Sequence, residues 1–117
     1  MYNTNYTLTI YNKTDKVCDI VVTTSGLTYK TYTDNPINLP FGVNKTPTFK
    51  DLDEYFEERC FPRERENCKQ ILQALDIPTY EPELICRKTH GLQFDDFLWL
   101  QFSDEPQVTY NEIKLRD

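Results

Sequence analysis

Tyr6-Thr7-Leu8-Thr9-Ile10-Tyr11 sets Tyr6, Leu8 and Ile10 on one side of an extended chain and Thr7, Thr9 and Tyr11 on the other. That period of two, in β-branched and aromatic residues, predicts a half-buried strand. Outward from it, Asn12-Lys13-Thr14-Asp15 has turn composition. Val17 to Thr23 predicts a second strand, and Ser25-Gly26 the next turn. Leu27, Tyr29 and Thr31 alternate with Thr28, Lys30 and Tyr32 in a third strand. Short strands joined by tight turns predict an antiparallel meander.

The period changes after residue 47. Asn35-Pro36 and Leu39-Pro40-Phe41-Gly42 break regular structure, making 34–47 a connector. Thr48 is a good N-cap, with Asp51 as the acidic half of a capping box. Phe49, Leu52 and Phe56, with Arg59 or Cys60 beyond, trace one face of a helix that Phe61-Pro62 ends. Pro62 suits the first position of a second helix, whose apolar stripe is Cys68, Ile71, Leu72 and Leu75 and which Ile77-Pro78-Thr79 closes. Pro82 opens a third, bearing Leu84 and Ile85 and stopping at Gly91, with Arg87 and Lys88 complementing the helix dipole. Residues 94–102 hold the densest apolar run, read as a helical turn at Asp95-Asp96-Phe97 leading into an extended Leu98–Phe102. Val108 to Leu115 is amphipathic and fits a strand or a helix. The expected architecture is α+β: a single domain spanning 1–117, strand-rich over 5–33 and helix-rich over 48–117. A meander of about three strands precedes about three short helices and a C-terminal strand or helix.

At 117 residues the chain has the size of one domain, and 14% of it is aromatic, which supplies a core despite a hydrophobic fraction of 38%. No stretch approaches the roughly 20 apolar residues needed to span a bilayer. Met1-Tyr2-Asn3-Thr4-Asn5 has neither the basic nor the apolar part of an export signal, so a cytoplasmic location is expected, with no membrane contact. The four cysteines, Cys18, Cys60, Cys68 and Cys86, form no Cys-x-x-Cys pair and read as free, mostly buried thiols. Charge is unequal along the chain: net +1 over 1–47 (four Lys, three Asp) and net −7 over 48–117 (nine Lys or Arg, sixteen Asp or Glu). Such an acidic half disfavours direct nucleic-acid binding and suits a protein partner with a basic surface.

Signs of catalysis are thin. His90 stands at a helix end with no recognisable triad around it, and Cys86, four residues earlier, is its only helical neighbour fit for nucleophilic work. Cys60, Cys68, Cys86 and His90 lack the paired spacing of a zinc site, and Asp95-Asp96 and Asp104-Glu105 lack that of a calcium loop. Three glycines, none in a phosphate-cradling loop, disfavour nucleotides. The expectation is therefore no enzyme, no cofactor and no metal. Two constellations remain. Arg59-Cys60-Phe61-Pro62-Arg63-Glu64-Arg65 places three Arg at a helix corner, either binding a partner or pairing with local carboxylates such as Glu58 and Glu66 and with buried carbonyls. Gly91 to Leu100 carries Asp95, Asp96 and Trp99, with Trp99 as a structural anchor or as part of an acid-rimmed aromatic patch. Trp99 is expected to pack with Phe56, Leu72, Leu75 and Leu98.

In order along the chain, Tyr6-Thr7-Leu8, Leu39-Pro40-Phe41-Gly42, Phe56 through Arg59-x-x-Pro62-x-x-Arg65, Ile71-Leu72-Gln73-Ala74-Leu75 and Gly91-Leu92 through Asp96 to Trp99 make a pattern. Over residues 6–102 it resembles the module that precedes the kinase domain in HipA-like proteins of Gram-positive bacteria and their mobile elements. The chain departs from that pattern in having Asp95 where a serine is usual, and it carries no kinase domain, so no kinase residue transfers to it. What the resemblance implies is a stand-alone regulatory or docking module from the toxin–antitoxin world of mobile elements and phages, with a HipA-like kinase as its partner. The rival expectation is a phage-encoded inhibitor of host defence, of the anti-CRISPR type, whose acidic surface mimics nucleic acid and occupies a nucleic-acid-binding defence protein. Candidate partner-binding residues are Arg59, Arg63 and Arg65 at the corner, and Glu54, Glu57, Glu58, Asp95, Asp96, Asp104 and Glu105 on the acidic side.

Overall fold

A computed structural model of the chain describes residues 5–42, 44, 46–93 and 96–114. Strands β1 (Tyr6–Asn12), β2 (Asp15–Thr23) and β3 (Gly26–Thr31) form the expected meander. Strand β4 (Leu98–Phe102) then returns to pair antiparallel with β1, so the sheet order is β3-β2-β1-β4. Ile10 faces Cys18 whereas Tyr11 faces Lys16, which leaves Val17 as the extra residue of a bulge. The bulge is why the neighbours Val17 and Cys18 are both buried, against the strict alternation of the rest of the strand.

Helices α1 (Phe49–Glu58), α2 (Cys68–Ala74) and α3 (Pro82–Thr89) follow, with a last turn of helix, α4, at Tyr110–Ile113. Thr48 and Asp51 close the capping box on α1, and Pro82 opens α3 as expected. Pro62 does not begin α2. The chain instead makes a turn there, Arg65 N–H donating to the Pro62 carbonyl at 3.1 Å, and the helix starts six residues later. Helix α2 stops at a Schellman motif: Asp76 takes the left-handed conformation (φ 61°), Asp76 N–H donates to Gln73 and Ile77 N–H to Leu72. The apolar contact of that motif, Ile77 with Leu72, is the seed of a small second core that also holds Ile85.

The main core lies between one face of the sheet and helices α1 and α3. Tyr6, Leu8, Ile10, Ile20, Val22, Leu100 and Phe102 from the sheet meet Leu52, Tyr55, Phe56 and Cys86 from the helices. Trp99 is buried (3% exposed), but its neighbours are not the expected ones. Leu100 and Phe102 join Phe56 in the main core, so the period of two puts Trp99 on the opposite face of the sheet. There its ring stacks on Tyr11 at 4.6 Å, meets His90 edge-on at 6.4 Å, and its indole N–H donates to the Lys13 carbonyl at 2.7 Å. Gln101, also on that face, holds down the chain that follows by donating to the Pro106 carbonyl and accepting from Val108 N–H. The helical turn expected at Asp95-Asp96-Phe97 is not formed by Asp96 and Phe97, and Asp95 lies outside the described residues. Among the described residues no helix is long and apolar enough to cross a membrane.

Candidate functional site

Helix α1 has two unlike faces. Leu52, Tyr55, Phe56 and Arg59 (its C-cap) point inward and are buried, while Asp53, Glu54, Glu57 and Glu58 point outward and are exposed. The inward arginine is fully used. Arg59 Nε donates to the Gly91 carbonyl at 2.8 Å, Nη1 and Nη2 form a fork with the Asp96 carboxylate at 2.7 and 3.0 Å, and Nη2 also reaches the Leu98 carbonyl at 3.1 Å. Burial opposes the charge on this guanidinium, but the Asp96 hydrogen bonds more than offset it, so its proton is held more firmly than usual. Asp96 in turn accepts from Leu98 N–H and so fixes the entry into β4. Arg59 thus pins the end of α1 to the segment between α3 and β4. It locks buried carbonyls, as one sequence reading had it, but its carboxylate is Asp96 rather than the adjacent Glu58.

This lock requires close approach at Gly91. The residue has φ 65°, and a Cβ there would lie 2.8 Å from Leu100 Cδ1, so any side chain would clash as well as strain the backbone. Next to it, His90 also adopts a left-handed conformation (φ 57°), with Nδ1 3.0 Å from the Leu100 carbonyl. That engagement, and its contact with Trp99, turn the ring toward β4. Cys86 hydrogen-bonds instead to the Phe56 carbonyl and faces Cys60. The two residues four apart on α3 therefore do not form a nucleophile–base pair.

A second arginine, Arg87, does for the other side of the molecule what Arg59 does for the corner. Its guanidinium lies 4.3 Å from the Phe102 ring centre and 4.9 Å from that of Tyr6, and it bonds Glu83, Asp104 and Glu105 at 3.1, 2.7 and 3.4 Å. The sequence reading used Arg87 only as a partner of the helix dipole. Glu83, four residues earlier, was the available sign of an ion pair. Asp104 and Glu105 thus share a single guanidinium with Glu83, and the cluster as a whole remains acidic.

Of the remaining candidates, Arg63 lies over the Tyr80 ring at 4.5 Å, and Arg65 donates to the Asn67 side chain at 3.1 Å. Asp95 falls outside the described residues. Glu54, Glu57 and Glu58 form no ion pair among the described residues and line an open hollow along α1. Beside it a cleft of about 540 Å³ is lined by Asp53, Glu57, Arg63, Tyr80, Glu81, Pro82, Glu83 and Leu84. Carboxylates at Glu57 and Glu58 occupy the last turn of α1, which has no basic residue. There the helix dipole repels them. No group of three or more His, Cys, Asp or Glu is placed to hold a metal ion among the described residues.

The chain matches no protein-family model, no curated protein and no solved structure. Within the chain, the structure joins the arginine corner to the segment before β4, where Arg59 bonds Asp96.

Proposed function

We propose that this protein is a non-catalytic interaction module that presents the outer face of α1 to a basic surface on a protein partner. The observation that carries this reading is the placement of Glu54, Glu57 and Glu58. They are exposed and unpaired among the described residues, and two of them stand at the helix end that disfavours acid. Other carboxylates of the acidic half, Asp96, Glu83, Asp104 and Glu105, are matched by Arg59 and Arg87. The fold thus engages those acids in its own ion pairs and leaves three together on the outer face of α1 without one among the described residues. Bare carboxylates on a rigid helix attract a basic surface, speed encounter and set orientation.

A HipA-like kinase is the partner the motif resemblance suggests, in the setting of a mobile element or phage. A nucleic-acid-binding defence protein is the second candidate, since the same face would occupy a channel built for phosphates. The test is the association rate of the purified protein with each candidate, measured across salt from about 50 to 200 mM. Changing Glu54, Glu57 and Glu58 together to Lys is expected to slow association at least about tenfold and to flatten its salt dependence. An unchanged rate would overturn the reading. Competition by DNA for the same partner would select the defence protein over the kinase.

A further inference from the structure

Cys60 and Cys86 are 26 residues apart in the chain, yet their sulfur atoms lie 3.9 Å from each other. Cys60 follows the C-cap of α1, and Cys86 sits within α3. Both thiols are directed at one acceptor, the Phe56 carbonyl, at 3.1 and 3.5 Å, and Cys60 also lies 3.6 Å from the Pro82 carbonyl. Their exposure differs: Cys60 is partly open to solvent and Cys86 is fully buried. The other two cysteines lack this arrangement. Cys18 is buried in the sheet, and Cys68, although partly exposed like Cys60, has no second sulfur beside it.

We propose that Cys60 and Cys86 form a thiol–disulfide exchange site, in which a small disulfide is captured at Cys60 and released by Cys86. The Cys60 thiolate attacks one sulfur of the small disulfide, forming a mixed disulfide and expelling one thiolate, which takes up a proton. Cys86 gives up its proton and attacks Cys60 Sγ, expelling the second thiolate, which is protonated in turn. Overall two protein thiols are oxidised to one disulfide and one small disulfide is reduced to two thiols. The closing step needs the sulfurs to move from 3.9 Å to about 2.05 Å. The hydrogen bond from Cys86 holds the Cys60 thiol below its ordinary range, and the same bond, with burial, holds Cys86 well above it. The accessible sulfur is therefore the attacker and the buried one the resolver, the order that thiol exchange needs. The product would tie the end of α1 to α3.

The test uses the whole reduced protein and hydroxyethyl disulfide, a neutral reagent that the acidic surface does not repel. After incubation under native conditions, thiols are counted in denaturant and peptides are mapped by mass spectrometry. The expected result is a loss of two thiols from four, a chain lighter by two hydrogens, and a peptide joining Cys60 to Cys86. Cys86→Ser should stop at a single adduct on Cys60, and Cys60→Ser should abolish the cross-link. A variant with Cys18→Ser and Cys68→Ser should still lose both of its thiols, which guards against misfolding of the other two. Adduct forming on Cys68 as fast as on Cys60, or a cross-link that appears only in denaturant, would overturn the proposal.

Discussion

The two faces of α1 put charge to opposite uses. Inward, Arg59 is nearly sealed and spends its donors on Asp96 and two backbone carbonyls. Outward, Glu54, Glu57 and Glu58 stand in water, and no ion pair holds them among the described residues. A buried charge must be matched or it costs several kcal/mol, whereas an exposed one costs little and is free to act on something else. Helix α1 and its C-cap thus separate a charge that holds the fold from charges available to a partner.

The sharpest way to break this contrast is Arg59→Ala. It would take the guanidinium from the Gly91 and Leu98 carbonyls and from Asp96, which still accepts from Leu98 N–H and is partly solvated, at a cost of about 3 kcal/mol, visible as a fall in Tm or denaturant midpoint. Arg59→Lys should recover only part of this, because an ammonium cannot form the fork. Stable Arg59 variants that fail to bind a partner would place the functional site at the corner rather than on the helix face.

Trp99→Ala should follow closely, at about 3 kcal/mol, from lost burial and a broken stack with Tyr11. Tryptophan fluorescence of the intact protein should report on the outer face of the sheet, so Tyr11→Ala is expected to shift the emission while Leu72→Ala is not. An equal shift from both would contradict the separation of the two faces.

A smaller effect is expected in acid. Asp19 is partly buried, which pushes its carboxyl up, but hydrogen bonds from Thr9 and Tyr32 at 2.6 Å each, with Lys16 and Lys30 nearby, hold it below its ordinary value overall. A carboxyl depressed in the folded state adds stability above its unfolded pKa of about 3.9 and loses it as pH falls through the folded value. Asp19→Asn should therefore lower stability at neutral pH and flatten its decline below about pH 4, read from denaturant midpoints across pH. The smallest effect on folding should come from the Glu54, Glu57 and Glu58 to Lys variant. A change within about 0.5 kcal/mol is expected, tending toward stabilisation because acid leaves the end of the helix. A collapse of stability there would show that these carboxylates serve the fold.

Much of the fold was legible in local residue patterns. The alternation in Tyr6–Tyr11, the Thr48/Asp51 box and the Cys68-Ile71-Leu72-Leu75 stripe each express a short-range rule, and each element formed, although α2 begins only at Cys68. Pro62 shows the limit. Proline is compatible with a helix start and with a turn, and the turn was formed. The end of α2 was less legible still, because its left-handed residue is Asp76 rather than glycine.

The candidate site was legible only as a list of charged residues. Which acids are bare and which are matched depends on pairings across the chain: Arg59 with Asp96, 37 residues on, and Arg87 with Asp104, 17 residues on. By itself the sequence determined the α+β order, the helix caps, the acidic second half and the burial of a lone tryptophan, since these follow from periodicity, composition and hydrophobicity. Tertiary structure alone decided that β4 returns beside β1, that Trp99 lies on the sheet face opposite the main core, and that Cys60 meets Cys86. Long-range pairing selects among partners that local rules leave equivalent, and it does so by matching buried donors such as the Arg59 guanidinium and the Trp99 indole N–H.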